Sequence, residues 1–204
     1  MDHSIFNPEA QNTRVDYRIV AALERLSEAF RVLLWDRAKV LNISPIQIQI
    51  LIFLRYHEQE KATVSQLAKE FNLSRPTISD AVKSLEQKGL VLRDPSPVDA
   101  RSHTLVLTDA GRAAADQTAD FASPFLFPLD TMGEEQQNTL LENLLQIIFN
   151  LQRKGVVTLD RMCYNCSNYM SRPSGHYCRL LAKKLENKDL RLDCPEHVPA
   201  VSAK

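Results

Sequence analysis

Apolar residues recur every three or four positions in two long segments of this chain, one near its start and one beyond its middle. In residues 14–41 the repeat runs through Val15, Ile19, Leu23, Leu26, Phe30 and Leu33. In residues 134–153 it comprises Leu141, Leu144, Leu145, Ile148 and Leu151. This spacing marks one face of a helix. The pattern predicts two long amphipathic helices, which are typical of a dimer interface; a monomeric helical bundle is the alternative.

A third helix is predicted from residue 45, although its apolar pattern is ambiguous. Ser44 is a suitable N-cap, and Pro45 fits the first helical position because its missing N–H is not needed there. The alternation of Ile46, Ile48 and Ile50 with glutamine also fits a strand. The length of the segment and its start signal favour the helix.

Two shorter helices follow, joined by a short polar turn. Thr63 and Gln66 form a capping-box pattern before the first. Ser74 is the expected N-cap of the second, which ends at Gly89 because glycine accepts the left-handed conformation common after a helix. The second helix is predicted to bury Ile78, Ala81, Val82 and Leu85.

After Gly89 the apolar period changes from 3.6 to 2. The stretches "LVLRD" and "HTLVLTD" read as two strands joined by the polar loop "PSPVDARS". Thr108 and Asp109 then open the helix "DAGRAAADQTADFA", which Pro124 and Pro128 interrupt. Two short helices followed by a hairpin predict a winged helix-turn-helix, whose second helix enters the DNA major groove.

The exposed face of that second helix carries side chains suited to double-stranded DNA: Arg75, Thr77, Ser79 and Lys83. Arginine can bind guanine O6 and N7, and serine and threonine can contact bases or phosphates. Ser74 and the free N–H groups of the helix start can hold a phosphate. Arg101, near the tip of the hairpin loop, can enter the minor groove. A merely solvated helix face is the alternative.

Residues 14–153 resemble the MarR family of bacterial transcriptional regulators. The most specific part is "GLVLR" at the start of the wing, followed by Asp99, Arg101 and "LTDAG". The resemblance implies a homodimer that binds near-palindromic operators, usually as a repressor, with Asp99 bracing the wing and Arg101 in the minor groove. Asp80 departs from the family pattern, since members often carry a basic or neutral residue there. An acid near phosphates is unfavourable unless it pairs with Arg75 or Lys83 or accepts from a cytosine amino group.

The resemblance also implies a small-molecule effector, which would bind in a cleft between the dimer helices and the winged helix. Trp35, Phe53 and Tyr56 are candidates to lie near such a cleft, but core positions are the simpler reading of all three. The identity of an effector is not predicted.

The charge distribution and the N-terminal sequence restrict the possible partners and the cellular location of the protein. The formal net charge is zero, although residues 151–204 carry 10 Lys and Arg against 5 Asp and Glu. The polar N-terminus has no signal-peptide pattern, and the longest apolar-rich stretch is too short to span a bilayer. We therefore expect a soluble, cytoplasmic protein without a membrane partner.

All four cysteines lie in the last part of the chain, beyond the segment that resembles the family: Cys163, Cys166, Cys178 and Cys194. In a reducing compartment such cysteines are more often metal ligands or redox groups than disulfides. A two-residue gap lets Cys163 and Cys166 reach one metal from a tight turn. Because the polar tail is too small to build a core alone, bound metal would supply folding energy.

The cysteine pattern fits either an iron–sulfur cluster or Zn²⁺. A zinc ribbon usually has two close pairs, whereas Cys178 and Cys194 stand alone and Pro195 follows Cys194, which favours the cluster. Zinc is the commoner structural metal, and His176 and His197 could each replace a cysteine in its ligand set. Without metal, Cys163 and Cys166 would form a redox dithiol pair.

No spacing of Asp, Glu or His suggests a catalytic constellation, and the Cys-x-x-Cys pair lacks a thioredoxin-like context, so we predict that the protein is not an enzyme. The alternative function is a winged-helix protein-interaction module with a structural zinc site. The predicted fold class is mainly α with a small β-hairpin wing (α+β): a winged helix-turn-helix core flanked by long dimerisation helices, plus a small C-terminal metal-binding segment. The predicted domains are an N-terminal arm (1–13), the winged-helix domain (14–153, with the helix-turn-helix about 63–89 and the wing about 90–108) and a cysteine-rich tail (154–204).

Overall fold

The computed structural model describes residues 4–58, 62–95, 103–158, 161–172 and 175–200. The chain divides into two compact units, whose boundaries differ from those of the predicted domains. The first comprises residues 1–63 and 79–125, and the second comprises residues 64–78 and 126–204. The tail therefore shares a unit with the residues of the predicted helix-turn-helix that precede Ser79.

Three helices open the first unit: α1 (Pro8–Thr13), α2 (Val15–Leu41) and α3 (Pro45–Tyr56). Helix α2 starts one residue after the predicted position and ends at Leu41 as predicted, followed by the C-cap Asn42, whose φ of 52° is left-handed. Most of its predicted apolar stripe is open in the single chain, with Ile19 49% and Leu26 47% exposed.

Helix α3 confirms the helical interpretation of the alternating isoleucines. The Ser44 side chain accepts from Gln47 N at 3.4 Å, and Ser44 N donates to Gln47 Oε1 at 2.9 Å. This reciprocal capping box, with Pro45 in the first turn, fixes the helix start. Ile48 and Ile50 are both buried, because the interior of the unit covers more than one face of this helix.

The helix-turn-helix and its wing follow as the sequence predicts. Helices α4 (Val64–Glu70) and α5 (Arg75–Gln87) precede strands β1 (Val91–Pro95) and β2 (His103–Leu107). The strands pair antiparallel, with Val91 opposite Leu107. Leu105 N also donates to Ala62 O at 2.8 Å, which attaches the chain before α4 to the free edge of β2. Gly89 has the expected left-handed φ of 67°.

Helix α6 (Asp109–Thr118) opens at Thr108 and Asp109 as predicted, with Thr108 as its N-cap, whose side chain accepts from Gly111 N at 2.9 Å. A Cβ at Gly111 would lie 1.9 Å from Leu90 O, so the "LTDAG" pattern needs glycine at this close approach. The helix ends before the predicted Ala122, and a 3-10 turn over Ser123–Phe125 follows. Pro124 lies in this turn and Pro128 within the next helix, so α6 has already ended before either proline.

The second unit contains α7 (Leu126–Asp130), α8 (Glu134–Arg153) and a three-stranded antiparallel sheet in the tail. The strands are β3 (Tyr169–Arg172), β4 (Gly175–Cys178) and β5 (Lys183–Leu185), in that order. This sheet was not predicted from the sequence. Its strands are too short to show a clear apolar period.

The tail covers part of the apolar stripe of α8. Leu145, 2% exposed, belongs to one buried cluster with Met162, Leu185 and Leu190, and Leu141 packs against that cluster. The sequence alone assigned Leu145 to a dimer interface, and the structure corrects this assignment because Leu145 is buried within the chain's own second unit. Ile147 and Leu151 stay 38% exposed on the same helix.

No helix in the described residues is both long and apolar enough to cross a bilayer.

Candidate nucleic-acid interface and cysteine site

Helix α5 separates its apolar and polar residues as the sequence predicts. Ile78, Ala81, Val82 and Leu85 are all buried, at 8% exposure or less. Arg75, Thr77 and Lys83 are exposed, and Ser79 is half-buried. The helix is therefore anchored by one face and presents two cations and hydroxyl groups on the other.

Ser74 stabilises the start of α5. Its hydroxyl accepts from Thr77 N at 3.2 Å and lies 2.7 Å from Thr77 Oγ1. This cap fixes the first helical turn, from which Arg75 projects. The remaining free N–H groups of the helix start keep their affinity for anions.

Asp80 is exposed on α5 beside these residues. Within the part of the chain that the structure describes, Asp80 forms an ion pair with neither Arg75 nor Lys83.

The wing strands are described, but the predicted wing residues Asp99 and Arg101 lie outside the described residues. On the strand side, Arg93 of β1 donates to Glu86 of α5 at 2.9 Å. This ion pair ties the wing to the C-terminal half of α5.

The residues considered for an effector cleft differ in burial. Phe53 is a core residue, 4% exposed, and stacks on His57 with ring centroids 4.0 Å apart. Trp35 and Tyr56 are 45% and 61% exposed. The core interpretation is therefore right for Phe53 and wrong for the other two.

The tail brings all four cysteines to the lining of one cavity of about 30 Å³. Cys163 opens a 3-10 turn, Cys166 follows it, and Cys178 ends β4. Cys194 comes from the segment after the sheet and is held by a hydrogen bond from its N to Arg161 O at 2.9 Å. Three separate local structures thus place the thiols around a common space.

Hydrogen bonds to sulfur surround the cavity. Arg191 N donates to Cys163 Sγ at 3.2 Å, and the Arg191 guanidinium lies 3.6 Å from Cys194 Sγ. The Cys194 thiol also donates to Glu196 Oε2 at 3.3 Å. Sequence reasoning missed Arg191, although an arginine three residues before an isolated cysteine was a usable signal.

Burial raises the pKa of the Cys163 thiol, and the nearby Cys194, Cys166 and Cys178 raise it further, while the Arg191 N–H lowers it. Burial and the bond to Glu196 raise the pKa of Cys194, against the lowering effect of Arg191. These pKa directions favour neutral thiols in the metal-free chain. Binding of a metal would have to displace their protons.

The donor set fits a thiophilic group. Four thiolates select zinc, copper(I) or an iron–sulfur cluster over harder ions. Among the described residues, no three His, Cys, Asp or Glu side chains already stand in the arrangement of a single metal ion. The cysteines share a cavity without converging on one point.

The two histidines considered as substitute ligands have other partners. His176 Nδ1 lies 2.6 Å from the Tyr169 hydroxyl, and its Nε2 lies 3.7 Å from Glu142. His197 Nε2 lies 2.9 Å from Asn165 Oδ1. Neither is among the residues that line the cysteine cavity. The structure thus brings the four cysteines together without them.

The two-helix motif, the antiparallel wing and the cationic face of α5 define a winged-helix, DNA-binding protein. A model of the MarR family matches residues 41–102. The organic hydroperoxide resistance transcriptional regulator of Bacillus subtilis is 31% identical over 104 residues, which cover 48% of this chain and 71% of that protein. The chain belongs to the MarR family and is a DNA-binding transcriptional regulator, not an enzyme.

Solved structures show the same fold. MepR of S. aureus in complex with DNA has a TM-score of 0.58 and 22% identity, covering 65% of this chain and 97% of that one. MepR in a DNA-binding conformation has a TM-score of 0.59 at 22% identity, covering 65% and 98%. The family match ends at residue 102, so it does not extend to the cysteine site.

Proposed function

We propose that the protein is a dimeric repressor of near-palindromic operators, and that its cysteine site binds an iron–sulfur cluster or zinc and adjusts DNA affinity to redox or metal state. The metal part rests on one observation, the shared cavity lined by Cys163, Cys166, Cys178 and Cys194. The DNA part rests on the exposed face of α5 and on family membership. The protein would act in the cytoplasm, where thiols are kept reduced.

The four cysteines would hold the group as thiolates. A bound cluster would supply one-electron redox chemistry, and bound zinc would supply structural stabilisation. The N–H of Arg191 and its guanidinium are placed to donate to Cys163 and Cys194 sulfur. Such donors stabilise negative charge on ligand sulfurs and, in a cluster site, raise its reduction potential.

The proposed dimer rests on apolar surface that the single chain leaves open. On α2 this surface includes Val15, Ile19, Leu26 and Phe30, each at least 43% exposed. Contiguous exposed apolar surface on a long helix is typical of an interface. A symmetric pair would also supply two recognition helices for the two half-sites of a near-palindrome.

Leu26→Glu is expected to convert the dimer into a monomer and to weaken operator binding at least about tenfold, because a charge would replace an apolar contact. Sedimentation velocity and an operator titration measure the two effects. Val32→Glu is the matched control, since Val32 is also 47% exposed but lies off the stripe. A dimeric Leu26→Glu protein would show that α2 does not form the interface in this way.

Cys166→Ser and Cys194→Ser are expected to lose the bound metal and to change operator affinity about tenfold relative to the metal-loaded wild type. Metal analysis and the visible spectrum of an anaerobic preparation separate the cofactors. A brown protein that bleaches in air holds a cluster, and a colourless one with stoichiometric zinc holds zinc.

The affinity comparison needs one salt concentration, because phosphate contacts make binding salt-dependent. The variants must first be shown to be folded dimers. Equal affinity in loaded, metal-free and Cys→Ser dimers would contradict sensing and leave a structural site. Absence of sequence-specific DNA binding would instead favour the protein-interaction module.

A further inference from the structure

Arg161 is a buried cation that joins the cysteine site to the helix-turn-helix. It is 9% exposed and lies between two carboxylates. Its Nη1 lies 2.9 Å from Glu70 Oε2, at the end of α4. Its Nε and Nη2 donate to the two carboxylate oxygens of Asp193 at 2.5 and 3.1 Å. We call these three residues the Arg161 clamp.

The Arg161 clamp is built into the cysteine site on one side. Asp193 immediately precedes Cys194, and Arg161 lies two residues before Cys163. The backbones of these two segments are paired, since Cys163 N donates to Arg191 O at 3.0 Å and Cys194 N donates to Arg161 O at 2.9 Å. A displacement of Cys163 or Cys194 would therefore move Arg161 or Asp193.

On the other side, the same stretch of chain holds α4 at two further points. Asn72 Nδ2, in the turn after α4, donates to Val156 O at 3.2 Å. The Thr158 hydroxyl donates to Lys69 O. All these groups lie in the second compact unit, which includes residues 64–78 and hence Ser74, Arg75 and Thr77. The segment that leads into the cysteine site therefore contacts both α4 and the turn after it.

A buried arginine shared by two carboxylates has strong geometric demands. Each partner satisfies part of its charge and its donors, and loss of either leaves a poorly compensated buried charge. The position of Asp193 and the strength of the ion pair between Arg161 and Glu70 are therefore energetically linked.

We propose that Arg161 is a positioning residue that couples occupancy of the cysteine site to the DNA-reading helices. This inference rests on the proposed metal-dependent regulation and specifies its route. With the four cysteines engaged, Arg161 and Asp193 are fixed, and Arg161 holds Glu70 and the end of α4. With the cysteines released, Asp193 moves away, the hold on Glu70 weakens, and residues 64–78 become less ordered. The loaded form binds operator more tightly, because an ordered motif loses less conformational freedom on binding.

Glu70→Gln tests this route without altering any cysteine, Arg161 or a residue of the DNA-facing surface. Lys188→Gln is the matched control, because Lys188 joins the tail to Glu134 of α8 at 3.5 Å instead of to α4. Operator affinity is measured for loaded and metal-free dimers of the wild type and both variants, with metal content determined in parallel. Hydrogen exchange of amides in residues 64–78 provides a readout independent of DNA.

We expect a loaded-to-free affinity ratio of about tenfold in the wild type and in Lys188→Gln, and less than about twofold in Glu70→Gln at unchanged metal content. Exchange in residues 64–78 should slow at least about fivefold on loading in the wild type and change little in Glu70→Gln. A Glu70→Gln protein that keeps the wild-type ratio and exchange response would overturn the role of Arg161 while leaving metal sensing intact. Equal operator affinity of the loaded and the metal-free wild type would overturn both metal sensing and the coupling.

Discussion

Leu145→Ala is expected to lower the free energy of unfolding by about 2–5 kcal/mol, as is usual when a fully buried leucine is truncated and its cavity collapses only in part. Leu145 packs with Met162, Leu185 and Leu190, so the loss falls on the contact between α8 and the cysteine tail. Chemical denaturation of the metal-loaded dimer at a fixed protein concentration measures the change.

Ile147→Ala is the control, because Ile147 is on the same helix but 38% exposed. Ile147→Ala should lower the free energy of unfolding by clearly less than Leu145→Ala does. Sedimentation of Leu145→Ala should still show the dimer, since Leu145 faces the chain's own tail. If the variant becomes monomeric at unchanged subunit stability, Leu145 belongs to a dimer interface and is not covered by the tail.

Arg75→Ala is expected to cost about 1–3 kcal/mol in operator binding and to relax discrimination at one base-pair position, as for loss of a bidentate contact to guanine. Arg75 is exposed in the first turn of α5, directly after the Ser74 cap. Titrations with the operator, with single base-pair variants and with unrelated DNA at one salt concentration measure both the affinity and its sequence dependence.

Arg31→Ala is the matched control, because Arg31 is an exposed arginine of α2 that pairs with Glu28. It should leave operator binding nearly unchanged. A uniform loss across all DNA sequences in Arg75→Ala, with a smaller salt dependence, would show that Arg75 contacts a phosphate instead of a base.

The local elements of this protein could be predicted from the sequence because their signals lie within a few residues of each other. Ser44 and Pro45 specify the start of α3 through backbone groups within one turn. The apolar face of α5 follows from helical spacing, and the wing strands follow from the change of period after Gly89. The four-cysteine set was also visible, since only the residue type and its confinement to the tail were needed.

The tertiary structure decided which surfaces these elements share. An apolar stripe on α8 predicts burial but does not name the partner, and only the fold shows that Leu145 is covered by the tail. His176 and His197 have suitable chemistry for metal, but their hydrogen bonds to Tyr169 and Asn165 depend on the packing of the tail. Arg161 carries no local signal at all. Its role follows from its contacts with Glu70 and Asp193, which lie far from it in sequence on either side and meet only because the tail folds back on α4.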